Sequence, residues 1–298
     1  MSQNKPTITI IGGGRAGASL AFYFSRQGQR ILSLSERNPE RFDFLQQTFN
    51  WPFLTQHIEV PTLQDSRIVL ICIHDNQVAE VARSLSEKLP SWRNKVVAHT
   101  SGALPAKVLN PLKKKGAAVA SMHPVYSFSK DPRENHLLRN IWFNLEGDSE
   151  ALNQLEELFR FTQNRILRVD ESRKEAVHLA CVFYANFYVA LAQISKEILQ
   201  DIPLEEPEIF EMLNPLLRSS VDQVLAHGTA KGLTGPIKRG DTRTIQAHLE
   251  LMQKNFPDKI PLYRELSLKL LELSSLLPGD KITLEKLLAG YSYEGSTE

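Results

Sequence analysis

A chain of 298 residues is long enough for two domains of ordinary size. Hydrophobic residues make up 42% and charged residues 23%, the balance of a globular protein. The formal charge of +1 gives no reason to expect nucleic acid or an anionic membrane surface as partner. The two cysteines, Cys72 and Cys181, sit in apolar segments without metal-like spacing, which fits reduced thiols in a cytoplasmic protein. No signal peptide is visible, because the first apolar stretch is short and runs straight into a glycine turn.

That turn organises the first half of the chain. The β-branched run Thr7–Ile11 reads as a strand, and Ala18–Arg26 reads as a helix. Between them, Gly12-Gly13-Gly14-Arg15-Ala16-Gly17 fits G-x-G-x-x-G. Gly12 permits the tight turn, Gly14 admits a pyrophosphate to the backbone, and Gly17 lets the helix pack close to the strand. The helix start offers unpaired N–H groups and a positive dipole end to phosphates. The expectation is a dinucleotide site that includes Arg15 and Ala16.

The next elements follow in alternation. Arg30–Ser35 reads as a strand and Pro39–Phe49 as a helix with Pro39 at an early position. Residues 51–64 read as irregular, with a short strand near His57–Val60. Arg67–Ile73 is a continuous apolar run, as expected of a strand buried on both faces. Asn76–Leu89 reads as an amphipathic helix, Lys95–His99 as a strand, Pro105–Lys115 as a helix and Ala117–Met122 as a strand. Two later strands, Ile141–Leu145 and Ile166–Val169, flank a helix over Ser149–Gln163. Alternation of this kind predicts an α/β fold with a doubly wound, mostly parallel sheet over residues 1–170.

From residue 171 to 298 no strand is predicted. A long helix is expected over Glu171–Gln200, then one over Pro207–Ala226, a glycine-rich connection to Asp241, and helices near Thr242–Asn255, Pro261–Leu277 and Leu284–Leu288. Ala176–Ser195 has the length of a membrane span, but His178, Asn186, Gln193 and two tyrosines favour a helix buried on nearly all sides of a helical domain. The organisation is thus a sheet domain followed by an all-helical one, with the cleft between them as the expected active site.

In wound sheets, ligands bind at the carboxyl ends of the strands. Glu36-Arg37 ends the second strand. An acidic residue there binds a ribose 2′-OH, and an arginine accepts a 2′-phosphate; the pair favours NADP(H) and leaves NAD(H) open. After the buried apolar strand come Ile73 and His74, whose backbone can line the cofactor, and Asp75, expected to cap the following helix. Ser101 and Gly102 follow the next strand, and His123, held extended by Pro124, the one after it; these three are candidate substrate contacts. On the long helix, Lys174 and His178 share a face. Asn186 lies about 12 Å further along the axis, so it can reach the other end of a bound nicotinamide and substrate. Arg239, in the turn Thr234–Asp241, could clamp a carboxylate or phosphate, or pair with Asp241. No H-E-x-x-H, C-x-x-C, Walker loop or G-x-S-x-G is present, which counts against a metallohydrolase, a P-loop NTPase and an α/β-hydrolase.

Taken in order, IGGGRAG, VLICIHDNQVAEVA, HTSGAL, SMHPVYSF, VHLACVFYANF and LTGPIKRGDTRTIQAHL resemble a bacterial family that joins a Rossmann-like N-terminal domain to a C-terminal domain of unknown function. The resemblance spans nearly the whole chain. More distantly, the sequence is similar to the group containing 6-phosphogluconate dehydrogenase, 3-hydroxyisobutyrate dehydrogenase, ketopantoate reductase and pyrroline-5-carboxylate reductase. That similarity implies an NAD(P)-dependent oxidoreductase acting on a small C=O or C=N compound, and a homodimer formed through the helical domain. It implies catalytic roles for Lys174 or His178, with Asn186 orienting substrate or nicotinamide. The relatives' Lys and Asn lie one helical turn apart, whereas Lys174 and Asn186 are twelve residues apart, so the choice between Lys174 and His178 stays open. The competing expectation is an NADP-binding sensor or scaffold without turnover.

Overall fold

The computed structural model describes residues 5–135 and 138–291. Contacts divide the chain into two compact units, Met1–Phe187 and Tyr188–Glu298. The division falls inside the long helix, later than the change from alternating strands to helices at residue 170.

The first unit is built on one sheet of eight strands: β1 (Thr7–Ile11), β2 (Arg30–Ser35), β3 (Leu54–Thr55), β4 (Ile68–Ile71), β5 (Val96–His99), β6 (Ala118–Val125), β7 (Trp142–Gly147) and β8 (Arg165–Arg168). Their order in the sheet is β3-β2-β1-β4-β5-β6-β7-β8. All neighbours pair in parallel except β6 and β7, which are antiparallel. The winding changes direction between β1 and β4, which opens a crevice at their carboxyl ends. The helices are α1 (Arg15–Arg26), α2 (Pro39–Phe49), α3 (Val60–Asp65), α4 (Asp75–Lys88), the short α5 (Asn110–Lys113) and α6 (Ser149–Glu157).

Two apolar layers hold this unit together. Ile8, Ile10, Leu70, Ala98, Met122 and Phe143 pack one face of the sheet against α1 and α6. Ile11, Val69, Ile71, Val97 and Val119 pack the other against α4 and Trp92. Burial on both faces explains why β4 reads IVLI without alternation. Several sequence expectations shift. The short strand lies at Leu54–Thr55 rather than near His57, where Pro61 at an early helical position instead starts α3. Residues 105–115 form a 3-10 turn and a single α turn rather than one helix, because Pro111 removes a mid-helix donor.

The long helix starts as α7 (Glu171–Cys181), widens into a π-turn at Val182–Asn186 and continues as α8 (Phe187–Ile198). Asp170 caps it by accepting from the Arg173 amide. The expectation that this helix is buried is overturned: none of its most apolar stretch is buried, and Leu179, Phe183, Tyr184 and Val189 are all more than half exposed. It is the one helix among the described residues long and apolar enough to cross a membrane, by length and composition alone.

The second unit holds α8, α9 (Glu206–Gly232, broken at Gly228), α10 (Pro236–Arg239), α11 (Thr242–Asn255), α12 (Ile260–Leu273) and α13 (Pro278–Ala289). Its core is Ile237, Ile245, Leu249, Leu271, Leu284 and Leu288.

Candidate active site

The glycine turn leaves β1 with Gly12 at φ +100°, a conformation that only glycine adopts freely. A Cβ on Gly12 would lie 2.3 Å from the Cys72 carbonyl oxygen, and one on Gly17 would lie 1.9 Å from the Gly12 carbonyl oxygen. These two glycines are therefore demanded by packing. Gly14 is different: nothing lies within 4 Å of a Cβ placed there. Gly14 is also the N-cap of α1, with no side chain capping the helix, so the first amides remain available to a phosphate.

A cleft of about 970 Å³ opens at this point, lined by Gly12, Gly14, Arg15, Glu36, Arg37, Arg41, Ile73, His74 and Lys130 among others. Gly13 and Ala16 lie in the same turn, Gly13 buried and Ala16 half-buried. Glu36 turns back on its own segment, its carboxylate accepting from the Asn38 amide at 2.7 Å. Arg37 is exposed. Arg41 was not among the residues expected from sequence. Its Nε donates to the Gly13 carbonyl at 2.9 Å and its Nη1 to the Lys130 carbonyl at 2.8 Å. Its Nη2 is buried without a partner. Burial lowers the Arg41 pKa, and nearby Arg15 adds to the shift. Four cations therefore line one cleft, and one has an unused buried donor. These residues fit a dinucleotide carrying an extra phosphate.

A second cluster gathers beyond β5 and β6. Parallel pairing sets His99 beside Ser121, and Ser101 follows on the next turn. His99 is fully buried. Its Nε2 donates to the Pro105 carbonyl at 3.2 Å while its Nδ1 accepts from the Ser101 amide at 3.2 Å. Burial drives its pKa down to about 4, so the ring is neutral. Ser101 Oγ donates to Asp75 at 2.8 Å and accepts from the Leu104 amide at 2.9 Å. Asp75 thus does not cap α4 as expected: His74 is the N-cap, without a side-chain bond, and Asp75 begins the helix itself.

Lys174 comes down from α7 into this network. It is 1% exposed, and its Nζ donates to the Ser101 carbonyl and to Ser121 Oγ, both at 2.7 Å. Burial pushes its pKa down to about 8, against the pull of Glu146 and Asp75. An ion pair between Lys107 and Glu171 ties the start of α7 to the segment after β5. One turn further along α7, His178 meets His123, their rings perpendicular and 5.7 Å apart. Both converge on Gly102: a Cβ there would lie 2.4 Å from His178 Nδ1 and 2.9 Å from His123 Nε2. The His123 pKa falls to about 4, chiefly through burial and then through the charge of Lys174.

Ser101, Gly102, His123, Lys174 and His178 are therefore brought together, three of them from strand ends or the turns that follow and two, Lys174 and His178, from one helix face. Asn186 closes the π-turn and is exposed. Two α-helical turns take about 7.2 residues, so eight residues overshoot by nearly one; a π-turn absorbs one extra residue. Arg239 lies in the second unit, exposed, on α10. Beside it, Asp241 caps α11 by accepting from Thr244, and its pKa is lowered by that bond.

A sheet that reverses its winding beside a glycine turn, followed by a helical unit, defines the Rossmann-like class. Residues 1–124 match the model of a Rossmann-like domain, and residues 141–270 match the model of a domain of unknown function, DUF2520. The chain thus carries a match to each of these two domains, one after the other. Among solved structures it is similar to a Bacteroides fragilis protein assigned as an NADP oxidoreductase (24% identity, TM-score 0.73, covering 90% of this chain and 98% of that one). It is also similar to a protein of Thermotoga maritima (26%, 0.65, 90% and 98%) and to a pyrroline-5-carboxylate reductase from Coxiella burnetii (16%, 0.60, 95% and 99%). Among proteins with curated descriptions, none matches.

Proposed function

We propose that the chain is an NADP(H)-dependent oxidoreductase whose substrate is a small C=O or C=N compound. The observation that carries this reading is the convergence of His123 and His178 on Gly102, at the same sheet rim as, and two strands along from, a glycine turn shaped for a pyrophosphate. The reductase and NADP oxidoreductase among the similar structures support it. Gly12–Gly17 would hold the pyrophosphate, and Arg37 and Arg41 the 2′-phosphate, with Glu36 held by its own turn. The bound cofactor supplies or accepts a hydride at the substrate carbon. The proton at the substrate oxygen or nitrogen is assigned to His178, because its ring nitrogen lies against Gly102 and imidazole can both give and take a proton. Lys174 is assigned a supporting role, since both of its bonds turn inward to Ser101 and Ser121. Ser101 and Gly102 form the floor under the reacting atom, and Asn186 orients the substrate.

The inward turn of Lys174 also favours a second reading. If the lysine only braces the fold, the chain could bind NADP as a sensor without turnover. Titration with NADPH and NADH, followed by NADPH consumption against a panel of small ketones, keto acids and cyclic imines, tests both. The enzyme reading expects tighter NADPH binding, turnover with one class, and loss of turnover but not affinity in His178→Ala. Binding without any turnover leaves the sensor; no binding refutes both.

We also propose that a second copy of the chain covers the exposed apolar face of α7 and α8. Phe183→Asp should convert a dimer into a monomer by light scattering. A wild-type monomer that floats with lipid vesicles would overturn this in favour of a membrane.

A further inference from the structure

Asn144 is a buried polar side chain that the proposed function leaves without a role. It is 1% exposed, and neither its amide oxygen nor its amide nitrogen has a hydrogen-bond partner among the described residues. Buried amides without partners are rare, and an ordered buried water is the usual remedy. A second orphan lies beside it. His123 Nδ1 is also buried without a partner.

The sheet explains why the two belong together. β6 and β7 are antiparallel, and His123 is paired directly with Asn144. Directly opposed residues project from the same face, with Cβ atoms about 5 Å apart. The orientation of the histidine ring is fixed from its other end. Nε2 is the atom that approaches Gly102. Nδ1, the nitrogen nearer the backbone, is therefore the one left to meet a group on the strand neighbour. A ring nitrogen and a side-chain amide, opposed on one face and both buried without partners, are the kind of groups that a single bridging water satisfies.

We propose that Asn144 is the positioning residue for His123: through one buried water its amide oxygen holds a proton on Nδ1, so that the Nε2 lone pair faces the site at Gly102. The electrostatics agree with this tautomer. The Lys174 ammonium is bonded to the carbonyl of Ser101, the residue before Gly102. A lone pair directed to that side faces a cation; an N–H would face it with like polarity. His123 is thereby an acceptor, complementary to a donor on the substrate or to His178, and not a second acid. The inference rests on His123 touching the substrate only for its functional meaning; the tautomer itself does not depend on turnover.

The test is nitrogen NMR of the full chain labelled at histidine, with His123→Gln used to assign the His123 signals. The expected wild-type spectrum shows a protonated, pyrrole-type Nδ1 and an unprotonated, pyridine-type Nε2. Asn144→Leu, which keeps the volume and removes both polar atoms, should collapse these into averaged signals from two tautomers. Asn144→Asp, which can only accept, should restore the wild-type pattern. If Asn144→Leu does not fold, the wild type and the aspartate variant still decide. A wild-type ring protonated at Nε2, or a spectrum unchanged by loss of the amide, overturns the inference whatever the activity. Absence of turnover with an intact Nδ1–H tautomer refutes the enzyme reading instead and leaves the positioning role standing.

Discussion

His99 gives a prediction that needs no substrate. Both ring nitrogens are used in the neutral form, one donating to Pro105 and one accepting from the Ser101 amide. A second proton would have to break the bond to Ser101, in a fully buried site. The folded pKa is accordingly held at about 4 against an ordinary 6.5. The sign follows from linkage. On acidification the unfolded chain takes up the proton first, so His99 contributes stability above pH 6.5 that is lost as the pH falls toward 4. Between pH 7 and pH 5 this amounts to about 2 kcal/mol, or roughly 1 M in a urea midpoint. His99→Asn retains an oxygen that can accept from the Ser101 amide but does not titrate. Its stability should therefore fall about 2 kcal/mol less than wild type over the same interval. The three tryptophans, at 51, 92 and 142, all lie in the first unit, so their fluorescence reports the unfolding of that unit. His123 has a similarly lowered pKa and leaves a residual slope in both proteins. Identical pH slopes in wild type and variant would refute the argument that burial holds His99 neutral.

Other variants test separate parts of the site. Gly14→Ala meets open space at a negative φ and should leave the urea midpoint within about 0.5 kcal/mol of wild type, while lowering NADPH affinity at least about tenfold, or 1.4 kcal/mol. Gly17→Ala drives a Cβ into the Gly12 carbonyl and should cost about 1–3 kcal/mol as well as binding; equal behaviour of the two would contradict their assigned roles. Lys174 is held down to about pH 8, so wild type should gain about 2 kcal/mol of stability between pH 7.5 and 9.5, as the unfolded chain keeps its proton longer, and Lys174→Met should not. Gly102→Ala places a Cβ against both histidine nitrogens; turnover should fall with NADPH affinity unchanged, as measured by parallel titration and rate assays.

Much of the first unit was legible because its signals are local. A β-branched strand, a glycine turn and an amphipathic helix announce themselves within twenty residues, and the bounds of β2 and α2 agree with the sequence reading. A topological rule, that ligands sit beyond strand ends, together with helix spacing, singles out Ser101, Gly102, His123, Lys174 and His178, and the fold brings these five together. Arg41 was missed because its guanidinium matters only through the carbonyls of Gly13 and Lys130, far apart in sequence. Asp75 was misread as a cap because its partner, Ser101, lies on the next strand. Asn144 sits inside an apolar strand, and only antiparallel register reveals that it faces His123. The exposure of α7 and α8 was illegible for another reason: an apolar helix has the same pattern whether it is covered by its own chain or by something else.

The reversal between β6 and β7 has a consequence for how such a protein can diverge. In an all-parallel sheet, the connection leaving β6 would cross to the far end before the next strand began. Here the connection stays at the ligand-facing rim. Its described part supplies the Lys130 carbonyl to Arg41 and the Asn135 amide to Ser19 on α1, while its ends are anchored by the strands carrying His123 and Asn144. One segment is thus hinged to both recognition tasks. On the proposed function, an insertion or exchange there would retune cofactor choice and substrate fit together, so paralogues arising by loop replacement should change both preferences at once, whereas point changes on α7 should alter only the chemistry.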